Sequence, residues 1–223
     1  MLALKLGLSL VSTPKLVWSP VDESSLEAWY KNAVGITLNG SDVQTWTDSS
    51  SSGYDMTQAT ASEQPAYSGG ILTFVSANDE HLQTSGQISL VGDFTIGMTF
   101  NPSISAPGTI LGDNTTANEF FKYTSTTNLR LKIDGSIANI PLDSGTFGDD
   151  YIVITRVSDV LTLWKNGTAQ STTPTLAGTA DIDAIGVRNA DQDFLDGTIS
   201  EIQIYRSSSA GLTSNVNDRL STL

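Results

Sequence analysis

A chain of 223 residues without a cysteine holds no disulfide, thiolate metal site or thiol nucleophile, which leans towards assembly in a reducing cytoplasm, and its length suits one large domain with an ample core. A formal net charge of −13, with only 11 lysines and arginines scattered along the chain, excludes the clustered basic surface that nucleic-acid phosphates require. Charged residues are only 16% and Ser, Thr, Asn and Gly are abundant, the composition of a turn-rich β protein, while the acidity is compatible with Ca²⁺, which takes carboxylate and carbonyl oxygens.

The chain opens MLALKLGLSL, in which Leu2, Leu4, Leu6, Leu8 and Leu10 alternate with small or polar residues. Lys5 interrupts the apolar run that a signal peptide needs. Ser12, Thr13, Pro14 and Lys15 end the stretch well short of the roughly 20 apolar residues of a membrane helix, so no membrane insertion is expected. Alternation with period two places the five leucines on one face of a strand. Such a strand needs a partner for its apolar row and its unpaired edge, either in this chain's own sheet or, as an arm, in a neighbouring subunit. Pro14 and Pro20, flanking Leu16-Val17-Trp18, make the connection to the body stiff and extended.

Residues 22–30 then read as a short helix, with Asp or Ser as cap, a Glu in the first turn, and Leu26, Trp29 and Tyr30 at helical spacing. Beyond it the punctuation is that of strands, with turns at Asn39-Gly40, residues 49–53 and Ser68-Gly69-Gly70. In Phe94-Thr95-Ile96-Gly97-Met98-Thr99-Phe100 four large apolar residues share one face and three small ones the other, and Asn101-Pro102 stops the run. Residues 128–134 repeat the pattern, with Leu129, Leu131 and Ile133 inward and Arg130 and Lys132 outward before an Asp134-Gly135 turn. Residues 151–156, a turn at Ser158-Asp159, residues 161–164 and an Asn166-Gly167 turn form a meander; Asn-Gly suits the two positive φ angles of a type I′ hairpin. A last strand runs through residues 199–205, and Leu212, Val216, Leu220 and Leu223 predict a closing amphipathic helix. No interior linker is visible, so residues 22–223 are read as one domain behind an arm of residues 1–21. Short strands without intervening helices predict an all-β sandwich of two large sheets.

Several stretches carry a family resemblance. Leu26-Glu27-Ala28-Trp29-Tyr30-Lys31, Val34-Gly35-Ile36-Thr37, Gly40, Val43, Trp46, Asp48 and Gln64-Pro65 resemble the opening of laminin-G-like domains of the concanavalin A-like lectin/glucanase superfamily. Phe74-Val75 with Leu82 and Phe94-Thr95-Ile96 match its middle strands. Leu161-Thr162-Leu163-Trp164-Lys165-Asn166-Gly167 resembles the family's hairpin, and Leu195-Asp196-Gly197-Thr198-Ile199-Ser200-Glu201-Ile202-Gln203-Ile204-Tyr205-Arg206 its near-terminal strand. The resemblance covers about residues 22–223 and implies an antiparallel jelly-roll β-sandwich. An acidic, cysteine-free, Ser/Thr-rich chain that joins an arm to such a domain also resembles structural proteins of tailed bacteriophages, particularly cyanophages.

Glucanases of this superfamily use carboxylates spaced Glu-x-Asp-x-x-Glu, and no such spacing occurs. Glu201 is read as a sheet-closing residue. His81, the only histidine, is expected in a surface turn and outside any catalytic arrangement, since no Gly-x-Ser-x-Gly elbow is present. Asp191 and Asp193 superficially match a calcium loop, but the register of an EF-hand is broken; a Ca²⁺ site using them with Asp113 and Asn114 is weighed against a solvated acidic hairpin. Asn39, Asn114 and Asn166 match the N-glycosylation pattern and are read as unmodified. Sugar stacking needs exposed aromatics, for which Trp18, Tyr54, Tyr67 and Tyr123 are candidates, whereas Trp29 and Trp46 are expected in the core.

The leading expectation is a non-enzymatic virion structural protein, a capsid decoration, head-fibre or tail accessory subunit assembled in the host cytoplasm. Leu2, Leu4, Leu6, Leu8, Leu10, Leu16 and Trp18 would anchor it to other virion proteins or to copies of itself. The alternative is a carbohydrate-binding, lectin-like module for host surface glycans, with Ca²⁺ as the one cofactor considered.

Overall fold

The computed structural model describes residues 18–103, 107–115 and 119–223; Leu2, Leu4, Leu6, Leu8, Leu10 and Leu16 lie outside the described residues. Eighteen strands follow in chain order: β1 (Leu26–Tyr30), β2 (Ile36–Asn39), β3 (Asp42–Trp46), β4 (Met56–Thr57), β5 (Ala66–Ser68), β6 (Ile71–Phe74), β7 (Leu82–Val91), β8 (Phe94–Pro102), β9 (Gly108–Gly112), β10 (Phe120–Ser125), β11 (Asn128–Ile133), β12 (Ser136–Pro141), β13 (Asp150–Val157), β14 (Val160–Lys165), β15 (Thr168–Ala169), β16 (Thr179–Ile185), β17 (Gly197–Ile199) and β18 (Ile202–Tyr205). The one α-helix among the described residues, α1 (Ala210–Leu220), follows them.

Among the described residues every strand pairing is antiparallel. The first sheet runs β1-β18-β8-β13-β14-β15. The second runs β12-β11-β10-β9-β16-β7-β4-β3-β2, with β5, β6 and β17 continuing from β3. This is the jelly-roll β-sandwich expected from the sequence. Its core is one cluster spanning Ala28 to Ile204. Phe94, Ile96, Met98 and Phe100 of β8 face inward, as do Leu129, Leu131 and Ile133 of β11, because burying one apolar row from each sheet against the other removes most of the apolar surface from water.

The predicted hairpin turns have the required backbone. Asp134-Gly135, Ser158-Asp159 and Asn166-Gly167 all hold φ between 47° and 79° and join β11–β12, β13–β14 and β14–β15 as two-residue loops. The closing helix is also present. Ser209 caps it by accepting from Leu212 N at 3.1 Å, and Leu212, Val216 and Leu220 pack on Val153 and Tyr205 of the first sheet's outer face. Leu223 lies past the last turn and is 51% exposed.

The helix expected over residues 22–30 is corrected. A 3₁₀ turn occupies Pro20–Asp22, and residues 26–30 form β1, paired with β18. Residues 27–30 are all buried: Ala28 and Tyr30 enter the main core, while Trp29 meets Glu201 on the other face. A strand buried on both faces loses the alternation that would identify it, and the open edge of β18 gives its backbone groups partners that a helix there would leave unpaired.

Candidate functional site

The most distinctive local geometry lies in the second sheet, where β7 leaves its ladder. Gln83 pairs with Ala184 and Ile88 with Ile182, so residues 84–87 stand opposite the single residue Asp183. Beside this wide bulge opens a groove of about 450 Å³ lined by Thr57, Gln58, His81, Gln83, Thr84, Ser85, Gly86, Gln87, Thr115 and Asp183. Bulges re-aim side chains and interrupt pairing; here one gathers amide and hydroxyl groups from β4, β7 and the loop after β9 around the Asp183 carboxylate of β16.

Asp183 is the least exposed of these residues, at 2%. It accepts from Asn114 N at 2.7 Å, Thr115 Oγ1 at 2.6 Å and Gln83 Nε2 at 3.4 Å. Burial pushes its carboxyl up from the ordinary aspartate value, against those hydrogen bonds. Asp113, fully buried next to it, accepts from Thr115 N at 2.9 Å, and Thr115 Oγ1 lies 3.3 Å from the same oxygen. One threonine thus touches both carboxylates. On the opposite wall Gln58 Nε2 lies 3.0 Å from His81 Nε2, and His81 Nδ1 lies 2.8 Å from the Asp79 carbonyl. The carbonyl can only accept, so Nδ1 carries the proton and Nε2 accepts from the Gln58 amide. Gln87 Nε2 is buried without a hydrogen-bond partner among the described residues.

The histidine was expected in a surface turn; it is instead 7% exposed in this wall. Among the described residues neither ring nitrogen meets a serine hydroxyl or a carboxylate.

Of the aromatic candidates, Tyr54 does not line the groove but packs beside Gly86 of the bulge. It is half-buried, and its Cε1 lies 3.0 Å from where a Cβ on Gly86 would stand. Tyr67 is half-buried on β5, paired with Leu72. Trp18 packs at the margin of the α1 contact and donates to Glu23 Oε1 at 2.9 Å. Tyr123 is corrected as an exposed stacking residue. It is 1% exposed, packs on Phe100 with ring centroids 5.6 Å apart, and donates to the Asp196 carbonyl at 3.1 Å, because its place on β10 points the ring inward and the hydroxyl then needs a buried acceptor. Trp29 and Trp46 are buried, as expected.

The two loops weighed for Ca²⁺ do meet. Asn114 Nδ2 donates to Asp191 Oδ1 at 3.0 Å, and Asp191 N donates back to Asn114 Oδ1 at 2.9 Å. Asp193, however, points to Lys122 Nζ at 2.6 Å and Arg188 Nε at 2.8 Å. Among the described residues no group of three His, Asp or Glu side chains is placed to hold a metal ion.

Glu201 closes more than a sheet hydrogen bond. Fully buried, it accepts from Trp29 Nε1 at 3.0 Å, Asn32 N at 3.1 Å, Gln203 Nε2 at 2.8 Å and Arg219 Nη2 of α1 at 2.8 Å. Its role is to tie β1, β18 and α1 together.

No protein-family model matches the chain, and no curated protein matches it. Domain 4 of AbnA, an extracellular arabinanase from Geobacillus stearothermophilus solved in complex with arabinotriose, is similar over 87% of this chain and 97% of that domain, at 15% identity and a TM-score of 0.58. The likeness is one of fold. Trypanosoma rangeli sialidase in complex with the inhibitor DANA is similar at 14% identity and a TM-score of 0.58, over 90% of this chain but 33% of the sialidase, so the chain spans about a third of that enzyme. A heptameric SAP-like pentraxin from Limulus polyphemus is similar over 63% of this chain and 75% of its own, at 15% identity and a TM-score of 0.52.

The groove residues Gln58, Gln83, Gln87, Thr115 and Asp183 were not singled out from the sequence. The available signal was the lapse of apolar alternation at Thr84 and Gly86 between Leu82 and Ile88, since a glycine inside a strand pattern marks a bulge.

Proposed function

We propose that this protein is a carbohydrate-binding module whose groove beside β7 takes a neutral glycan without cleaving it. The observation that carries the reading is the lining itself: amides and hydroxyls that can both donate and accept, with Gln87 Nε2 buried and unpartnered. Sugar hydroxyls present the same dual character. The fold likeness to a domain solved with arabinotriose supports the reading. Among the described residues no lysine or arginine lines the groove, and the one charged group there is the Asp183 carboxylate, so an anionic sugar would meet repulsion without a counter-charge. Asp113 and Asp183 are buried and already accept from neighbouring donors, a structural use that leaves them poorly suited to acid/base work.

A glycan array read with Ca²⁺ and again with chelator tests this. Binding to neutral oligosaccharides and not to sialylated or uronate-bearing ones is expected, and silence under both conditions overturns the reading. Gln87→Ala should weaken binding about tenfold, the equivalent of one hydrogen bond of roughly 1.4 kcal/mol, with an unchanged melting midpoint.

The alternation of Leu2, Leu4, Leu6, Leu8 and Leu10 favours a second, compatible reading: an arm that fastens the module to a larger assembly, such as the capsid, neck or fibre of a virion, by strand addition. Deleting residues 2–17 should leave a folded, glycan-binding domain that no longer copurifies with particles. Full incorporation of the truncated chain would refute the anchor.

A further inference from the structure

A second cleft lies on the other sheet, where α1 meets the β13–β14 hairpin. Its volume is about 290 Å³, at the lower end of small-molecule sites. Tyr151 and Trp164 line it from the sheet, and Thr213, Asn217 and Asp218 from the helix. Two side-chain atoms of its walls are buried with no hydrogen-bond partner among the described residues, the indole Nε1 of Trp164 and the amide Oδ1 of Asn217. Asn217 is 8% exposed, and its other amide atom is already fixed, donating to the Thr213 carbonyl at 2.8 Å. The Oδ1 therefore cannot be exchanged for the donor to relieve it.

One unpaired donor and one unpaired acceptor in the walls of one cleft call for a ligand group that accepts and donates at once, as a hydroxyl does. The two partly exposed aromatic rings call for a ligand with an apolar face. Among the described residues Asp218 is the only charged one in the lining, which disfavours an anion. We propose that this cleft is a binding site for a single neutral sugar residue, one of whose hydroxyls accepts from Trp164 Nε1 and donates to Asn217 Oδ1 while a C–H face rests on Tyr151 or Trp164. It lies on a different sheet from the groove beside β7 and does not depend on that groove's ligand.

The test is a titration of the ¹⁵N-labelled full chain with the methyl glycosides of arabinose, xylose, galactose and glucose, observed at the indole N–H resonances. The Trp164 resonance, assigned with Trp164→Phe, should shift saturably with at least one sugar while those of Trp18, Trp29 and Trp46 stay in place. Asn217→Leu should abolish the shift, and Tyr151→Ala, at a partly exposed ring, should weaken it about tenfold in a chain whose folding is checked by its unchanged amide spectrum elsewhere. Asp183→Asn, in the other groove, should leave it intact, so failure of the two sites is read separately. A Trp164 resonance unmoved by all four sugars would leave the two atoms to a bridging water and overturn the proposal, as would a shift that persists in Asn217→Leu.

Discussion

Arg156 stands on β13 with no side-chain exposure and, among the described residues, no carboxylate within ion-pair distance. Its guanidinium instead donates to the carbonyls of Gly92 and Gly178, at 2.6 and 2.8 Å, and of Leu90 at 3.0 Å, and stacks 4.7 Å from the Phe94 ring centroid. Those carbonyls belong to the end of β7, the β7–β8 turn and the approach to β16, so one side chain joins the two sheets at their end. Arg156→Met preserves much of the volume and strips the carbonyls of their donor. It should cost about 2–4 kcal/mol, because buried acceptors without partners lose their hydration and gain nothing; a urea midpoint measured against wild type reads it. In the sequence this arginine continues the apolar run Tyr151-Ile152-Val153-Ile154-Thr155, and period two alone assigns it a face without saying that the face is buried.

At the scale of elements, the docking of α1 rests on an absence. A Cβ at Gly97 of β8 would stand 2.3 Å from Val216 Cγ1 and 3.1 Å from Leu220 Cδ1, so the glycine is what lets the helix approach. Gly97→Ala should push α1 off the first sheet at a cost of roughly 1–3 kcal/mol. Hydrogen exchange will show it as lost protection in residues 212–220, with the strands of the second sheet unaffected. The Glu201–Arg219 pair, across the same interface, holds the last turn of the helix in register. The helix itself was legible from the spacing of Leu212, Val216 and Leu220, and the strand β8 from its alternation. That their small and large faces belong together was not, since nothing in the spacing of β8 says which element covers Gly97.

At the scale of the molecule, pH should act in opposite senses on different groups. Burial alone would raise the Asp193 carboxyl, but hydrogen bonds and charge from Lys122 and Arg188 hold it below the ordinary value. Its contribution to stability is therefore present at neutral pH and is lost as pH falls through the lowered value. Burial raises Glu80, Glu119 and Asp183, whose ionised forms cost stability that acid returns. The acid limb should be shallow, and Asp193→Asn should flatten it further, which thermal midpoints across the acid range will show. On the alkaline side, burial raises the phenols of Tyr30 and Tyr205, and that of Tyr123 up to about 12. The unfolded chain ionises its tyrosines near about pH 10, so stability is full below that and falls as pH rises towards the folded values. For Tyr30, Tyr123 and Tyr205, phenolate absorbance should rise together with unfolding, rather than ahead of it.

The sequence by itself determined the fold class, the hairpins at Asp134-Gly135, Ser158-Asp159 and Asn166-Gly167, the inward rows of β8 and β11, and the closing helix, because period and turn chemistry are local properties of the chain. Only the tertiary structure decided that residues 26–30 are a strand, that Tyr123 is buried, that His81 lines a groove, and that Trp164 Nε1 and Asn217 Oδ1 share a cleft. Each of these depends on which backbone edge or side chain arrives from residues distant in sequence, and no local pattern encodes that arrival.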